Sequence, residues 1–196
     1  MKRLLAIIFL AAVLYGAYWF FFKKDTSPST PKPEAIKINK HSDEFNRGVT
    51  GAVNGYLNMK NSFVDTDTTG IKMQSQKFIT SMDSLRLDEL QKDDSQILMA
   101  AQQEVSDIKA NAEAILLENQ LTEMRQDFRM VSENLYPFLK TIGYEGPKLY
   151  WQNSPNAFGE NKEGNWISNT PEIVNPYLGK YNSAYKSSGE TKDSLQ

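Results

Sequence analysis

The sequence predicts an all-α protein, an up-down four-helix bundle with an irregular aromatic and Pro-rich C-terminal lid, preceded by an N-terminal transmembrane helix. Three observations carry this expectation. Between residues 42 and 143, four successive stretches repeat apolar residues three and four apart, the period of helices that bury one face. Residues 149–181 lose that period and gather two of the three tryptophans and three of the eight prolines beside glycines. Residues 4–22 form an uncharged, mostly apolar run. With 196 residues and 40% hydrophobic content there is room for one domain with a sizeable core and hardly for two.

Taken in order, residues 1–22 are the anchor. As a helix the apolar run reaches about 28 Å against a hydrocarbon core of roughly 30 Å. Leu14, Tyr15 and Trp19 occupy the places where a signal-peptidase site would want small residues, so the segment reads as an uncleaved span. Residues 23–41 hold Pro28, Pro31 and Pro33 among Ser, Thr and Lys and cannot bury a core; they read as an extended tether. His41 closes that tether and is expected in solvent.

The bundle is expected over residues 42–143. Ser42 can cap the first helix, with Asp43 and Glu44 in its first turn, and Phe45, Val49, Ala52, Val53, Tyr56, Met59 and Phe63 form its stripe. Thr66 or Asp67 opens the second helix, which turns Ile71, Phe78, Ile79, Met82 and Leu85 inward. Asp94 or Ser95 opens the third, burying Leu98, Ala101, Val105, Ile108, Ala112 and Ile115. Asn119 is the expected cap of the fourth, where Leu121, Met124, Phe128, Val131, Leu135, Phe138 and Ile142 alternate by three and four, and Gly143 ends it. Short connections within the first and second pairs favour antiparallel neighbours. Residues 144–181 form the lid of the same domain, and the small polar residues 182–196 read as a disordered tail.

Composition excludes several chemistries. There is no cysteine, hence no disulfide, thiolate site or thiol nucleophile, and a single histidine leaves most zinc and triad arrangements without parts. The formal charge of −2 divides into +3 for residues 1–35, with five Lys or Arg against two Asp or Glu, and −5 for the rest. A mildly acidic domain without a basic cluster is no nucleic-acid binder. Ser154 sits in Asn-Ser-Pro-Asn with no base to activate it, so no catalysis is expected. Glu133 and Glu145 read as solvated charge. Met59, Met73, Met82, Met99, Met124 and Met130 read mainly as core filler.

The lid carries a pattern. Tyr150-Trp151-Gln152-Asn153-Ser154-Pro155-Asn156-Ala157 is followed by Trp166-Ile167-Ser168 and then by Ile173-Val174-Asn175-Pro176-Tyr177-Leu178-Gly179. From about residue 42 to 185 the chain resembles a bacterial family of helical domains of unknown function, found alone behind an export signal or attached to periplasmic adaptor proteins of copper and silver efflux pumps. That family reads Tyr-x-Gln-x-Cys-Pro-Met-Ala, Trp-Leu-Ser and Ile-x-Asn-Pro-Tyr-Phe-Gly, followed by a further Met and a Cys-Gly pair. The resemblance implies a soft-metal site of sulfur donors in the family. Here Ser154 and Asn156 stand at its first Cys and Met, and Tyr181 or Asn182 and Tyr185 fall near the later ones, so the framework is kept without the sulfur.

What this implies is a non-enzymatic, membrane-tethered cell-envelope domain that acts on an envelope protein partner, a divergent relative of metal-efflux accessory modules, with no metal or cofactor of its own. The alternative is a metal-binding or metal-delivery domain using oxygen or methionine ligands. Lysines after the span favour a cytoplasmic domain by simple count, but long domains translocate largely regardless of charge, and the resemblance places the domain in the periplasm or cell exterior. The lid residues Tyr150, Trp151, Ser154, Asn156, Trp166, Asn175 and Tyr177 are the candidate binding groove. Packing alone is the competing reading for them, because large aromatics commonly cover the open side of a bundle.

Overall fold

Ser42 starts the first helix. In the structure, a computed structural model that describes residues 40–195, its Oγ accepts the Phe45 N–H at 3.1 Å and opens α1 (Asp43–Asp65). Both Ser42 donors reach the Glu89 carboxylate at 2.6 Å, tying this end to a later turn. Thr66 ends α1 in the left-handed region (φ 56°), and Asp67 takes the Gly70 N–H at 3.0 Å to open α2 (Thr68–Asp83). A short 3-10 helix, Leu87–Lys92, leads to Asp94, which accepts the Gln96 N–H at 2.7 Å and opens α3 (Ser95–Leu117).

The last helix, α4 (Leu121–Thr141), is capped one residue later than Asn119. The carbonyl of Gln120 accepts the Met124 N–H at 3.0 Å, which makes Gln120 the capping position, and its side chain adds no bond. At the other end Gly143 (φ 62°) completes a Schellman motif. Its N–H reaches the Lys140 carbonyl at 3.1 Å, and the Tyr144 N–H reaches Leu139 at 2.9 Å.

Side-chain contacts fix how the helices run. Met59 Sδ lies 3.1 Å from the Ser75 hydroxyl oxygen, and Gly55 lies so close to Phe78 that a Cβ there would stand 3.3 Å from its Cα, so α1 and α2 are antiparallel. Phe63 packs on Phe128 with ring centroids 4.5 Å apart, while Tyr56 meets Ser132 at 2.7 Å and Asn46 meets Glu145 at 2.8 Å, so α1 and α4 are antiparallel too. Asp83 pairs with Lys109 between α2 and α3, and Thr141 donates to Glu104 at 3.1 Å between α4 and α3. The stripes read from sequence form most of the core, although Leu85, Leu98, Val105 and Leu121 are only partly buried at its margin.

The C-terminal third differs from the expectation. The domain is mostly helical with a three-stranded sheet, not all-α. Residues 149–181, expected to be irregular, hold β1 (Leu149–Ser154) and β2 (Gly164–Ser168), paired antiparallel with Trp151 opposite Ile167 and Gln152 opposite Trp166. The polar residues 182–196, expected to be disordered, contain β3 (Glu190–Leu195), which pairs antiparallel with the other edge of β1, with a register shift between Trp151 and Gln152 that leaves Lys192 of β3 unpaired in the ladder. β1 was hidden because both its faces are covered, which removes the alternation that marks a half-buried strand. β3 is an exposed polar edge strand, and its charges are the residues that guard such edges.

The sheet is a middle layer. Trp151 stacks on Tyr136 of α4 at 4.4 Å, and Asn165 donates to Glu133 of α4 at 3.3 Å. On the other face, Gln152 and Trp166 meet residues 169–189. Among the described residues no helix is long and apolar enough to cross a membrane. The span expected over residues 4–22 and the tether through residue 39 lie outside the described residues.

Candidate functional site: the seam between lid and bundle

The outer edge of β2 ends on two tyrosine hydroxyls. The Ile167 N–H donates to Tyr56 Oη at 3.0 Å, and Tyr177 Oη donates to the Asn165 carbonyl. Ser132 gives its own hydrogen to the Phe128 carbonyl at 2.9 Å, so at 2.7 Å its Oγ must accept from Tyr56. Tyr56 thus donates to α4 and accepts from the sheet. Burial raises both phenols well above the ordinary tyrosine range and keeps them protonated donors.

Asn175 shapes the loop that brings Tyr177 in. Its Oδ1 accepts the N–H groups of Tyr177 at 2.9 Å and Leu178 at 3.3 Å, and its Nδ2 donates to Ser188 at 2.8 Å. Gly179 (φ 73°) then passes so near α1 and α4 that a Cβ would stand 2.5 Å from the Thr66 methyl and 2.9 Å from Arg125 Nη2. Lys180 donates its N–H to Val64 at 2.7 Å and pairs its ammonium with Asp65 at 2.8 Å, while Arg125 Nε holds the Pro176 carbonyl at 3.2 Å.

The seven candidate residues therefore do not line one groove. Trp166 is fully buried, in edge contact with Tyr177 at 6.0 Å, and Asn175 and Tyr177 are buried with it. Ser154 is buried with no partner for its hydroxyl. Trp151 is half-buried against Tyr136, over which Lys140 sits at 4.7 Å; that ammonium, 2.7 Å from Asp193 on β3, lowers the Asp193 carboxyl to about 2. Tyr150 is half-buried under Lys148 Nζ at 5.3 Å. Asn156 is exposed and accepts the Asn161 N–H at 2.9 Å in the β1–β2 connection. The first three form one aromatic and polar core with Tyr56 and Phe128, Ser154 lies buried on β1, and the other three stand apart.

Other residues also sit elsewhere than expected. His41 is buried, not solvated: it stacks on Phe45 at 4.5 Å, and its Nε2 lies 2.6 Å from the Ile142 carbonyl, so the first described turn is pinned to the end of α4. Glu133 is half-buried and engaged, by Asn165 at 3.3 Å and Arg129 at 3.7 Å, rather than free in solvent. Met59, Met82 and Met124 are core, whereas Met73, Met99 and Met130 are exposed. Lys60 is buried with no carboxylate partner among the described residues, and burial lowers it to about 8. Its position one turn from both Tyr56 and Phe63 places it on the stripe, a signal legible beforehand. Ser132, one turn from Phe128, is legible in the same way.

Among the described residues no three of His, Cys, Asp and Glu converge as metal ligands. Residues 52–145 match one family model, described as a protein of unknown function (DUF3347). The match covers most of the helical bundle and stops short of β1, so the sheet and its loop lie beyond it. A search of curated proteins and a search of solved structures each returned no match.

Proposed function

We propose that this chain is a non-catalytic, membrane-tethered domain of the cell envelope that acts by protein contact, a divergent relative of copper and silver efflux accessory modules. The observation that carries the reading is where apolar surface remains open. Leu117 on α3 is 80% exposed and Met73 on α2 is 52% exposed, each adjacent in sequence to a residue lining an open depression formed by Thr68, Thr69, Lys72, Glu118, Asn119 and Met124. Large apolar side chains left in water beside a depression are a feature of contact surfaces. Trp166 and Tyr177 of the lid, by contrast, are buried in packing, and Tyr181 stands apart from the depression as an exposed ring under Lys180. The depression lies at the end of the bundle where α1 turns into α2 and α3 into α4, opposite the end at which residue 40 enters. On this reading the anchor is the span over residues 4–22 and the domain faces the periplasm or cell exterior.

Photo-crosslinking in cells from position 117, against position 150 as control, tests the contact. One discrete adduct from position 117, lost in Met73→Glu while the melting temperature is unchanged, is the expected result; equal yields from both positions would reject it. A reporter after Gln196 should be active outside the cytoplasm, and activity confined to the cytoplasm would reject the topology. Titration of the full chain with Cu(I), Ag(I), Cu(II) and Zn(II) separates the alternative: submicromolar binding at a defined stoichiometry would replace contact with metal delivery.

A further inference from the structure

Gln152 lies at the middle of the sheet, fully buried on the face turned towards residues 169–189. Its Nε2 is 3.2 Å from each of three successive backbone carbonyl oxygens, those of Thr170, Pro171 and Glu172. A side-chain amide nitrogen carries two hydrogens, so three acceptors share two donors. The amide's own Oε1 is buried with no partner. Three carbonyl oxygens thus gather about one amide nitrogen that has two hydrogens, while the amide's own oxygen is left without a donor. The three residues that contribute the carbonyls are themselves exposed, and their bonds to the amide are only part-buried.

We propose that this carbonyl cluster is a hard-cation site, with Ca2+ as the ion that fits. The terminal torsion of a glutamine is soft. Turning the amide over points Oε1 at the three carbonyls, and an ion between them then binds four oxygens in place of two shared hydrogens. The amide N–H groups move to the position that the unpartnered Oε1 now holds. Ca2+ accepts six to eight oxygens in irregular geometry at about 2.3–2.6 Å, and waters at the exposed rim complete the shell. Mg2+ demands an octahedron and holds its water too tightly. Cu(I) and Ag(I) find no soft donor here, so the site is separate from the metal chemistry tested above, and it does not depend on the contact reading.

The probe is Tb3+, a luminescent substitute for Ca2+, added to the full chain in mild detergent with excitation through tryptophan; Trp166 lies directly across from Gln152 on the same face. The expected result is saturable emission at one ion per chain, displaced by Ca2+ and not by equal Mg2+. Gln152→Glu keeps an oxygen in place and adds charge. Without Ca2+ its carboxylate faces three carbonyls, so it should melt below wild type, regain that loss with Ca2+, and bind Tb3+ at least about tenfold more tightly. Absence of saturable emission from wild type would overturn the proposal. Emission that survives in Gln152→Met would overturn it as well, and so would a Gln152→Glu variant equally destabilised with and without Ca2+.

Discussion

Because the Tyr56 hydroxyl donates to Ser132 and accepts from Ile167, removing it alone leaves a buried N–H without a partner. Tyr56→Phe should cost about 1–3 kcal/mol in denaturant melts although the ring stays in place. Trp166→Ala removes a fully buried indole and should cost about 3–5 kcal/mol. Ser154→Ala should fall within about 0.5 kcal/mol of wild type or stabilise, since its hydroxyl is buried without a bond to lose. Asn156→Ala gives up one exposed turn bond and should stay within about 0.5 kcal/mol. Lys60 adds a pH dependence. Its folded value of about 8 lies below the ordinary 10.5, so between those values the unfolded chain binds more protons and stability rises with pH. Below pH 8 the penalty is fully present. Lys60→Met should therefore stabilise the protein by about 1–3 kcal/mol at pH 7, and the difference from wild type should shrink by pH 9.5.

At the scale of elements, legibility followed how many faces an element buries. The helices each hide one stripe, so their period and the cap at Ser42 could be read directly, while Asp67 and Asp94 were each one of two adjacent candidates between which the structure decides. The cap of α4 was misread by one residue because Gln120 uses only its backbone, which leaves no side-chain signature. β1 hides both faces and β3 neither, so the first showed no alternation and the second no apolar residues until Leu195. The candidate site was legible in part. The Trp166 and Asn-Pro-Tyr-Leu-Gly framework pointed to the right layer, but Tyr56 was read only as a helix stripe residue and Ser132 was not singled out, because the partner of Tyr56 in the sheet, Ile167, is distant in sequence. Deleting residues 190–196 removes the strand on the outer edge of β1 and the Lys140–Asp193 pair. The bundle should keep its helical circular dichroism, while the bared edge drives concentration-dependent association visible in sedimentation.

At the scale of the whole described domain, sheet, loop and bundle form one body, with the lid a structural layer rather than a movable cover, and the proposed contact surface is therefore the exposed one at the α1–α2 and α3–α4 turns. His41, Tyr56, Tyr177, Lys180 and Arg125 each bond one segment to another far away in sequence. A layer held this way cannot open alone without losing several buried bonds together. The most direct test is native-state hydrogen exchange of the Ile167 amide, the proton held by Tyr56. The expected result is protection equal to that of the slowest core amides of α4, with the same dependence on denaturant, showing that Ile167 exchanges only when the domain unfolds. Exchange of Ile167 through a separate, denaturant-independent opening while α4 stays protected would contradict it, because the lid would then move on an intact bundle.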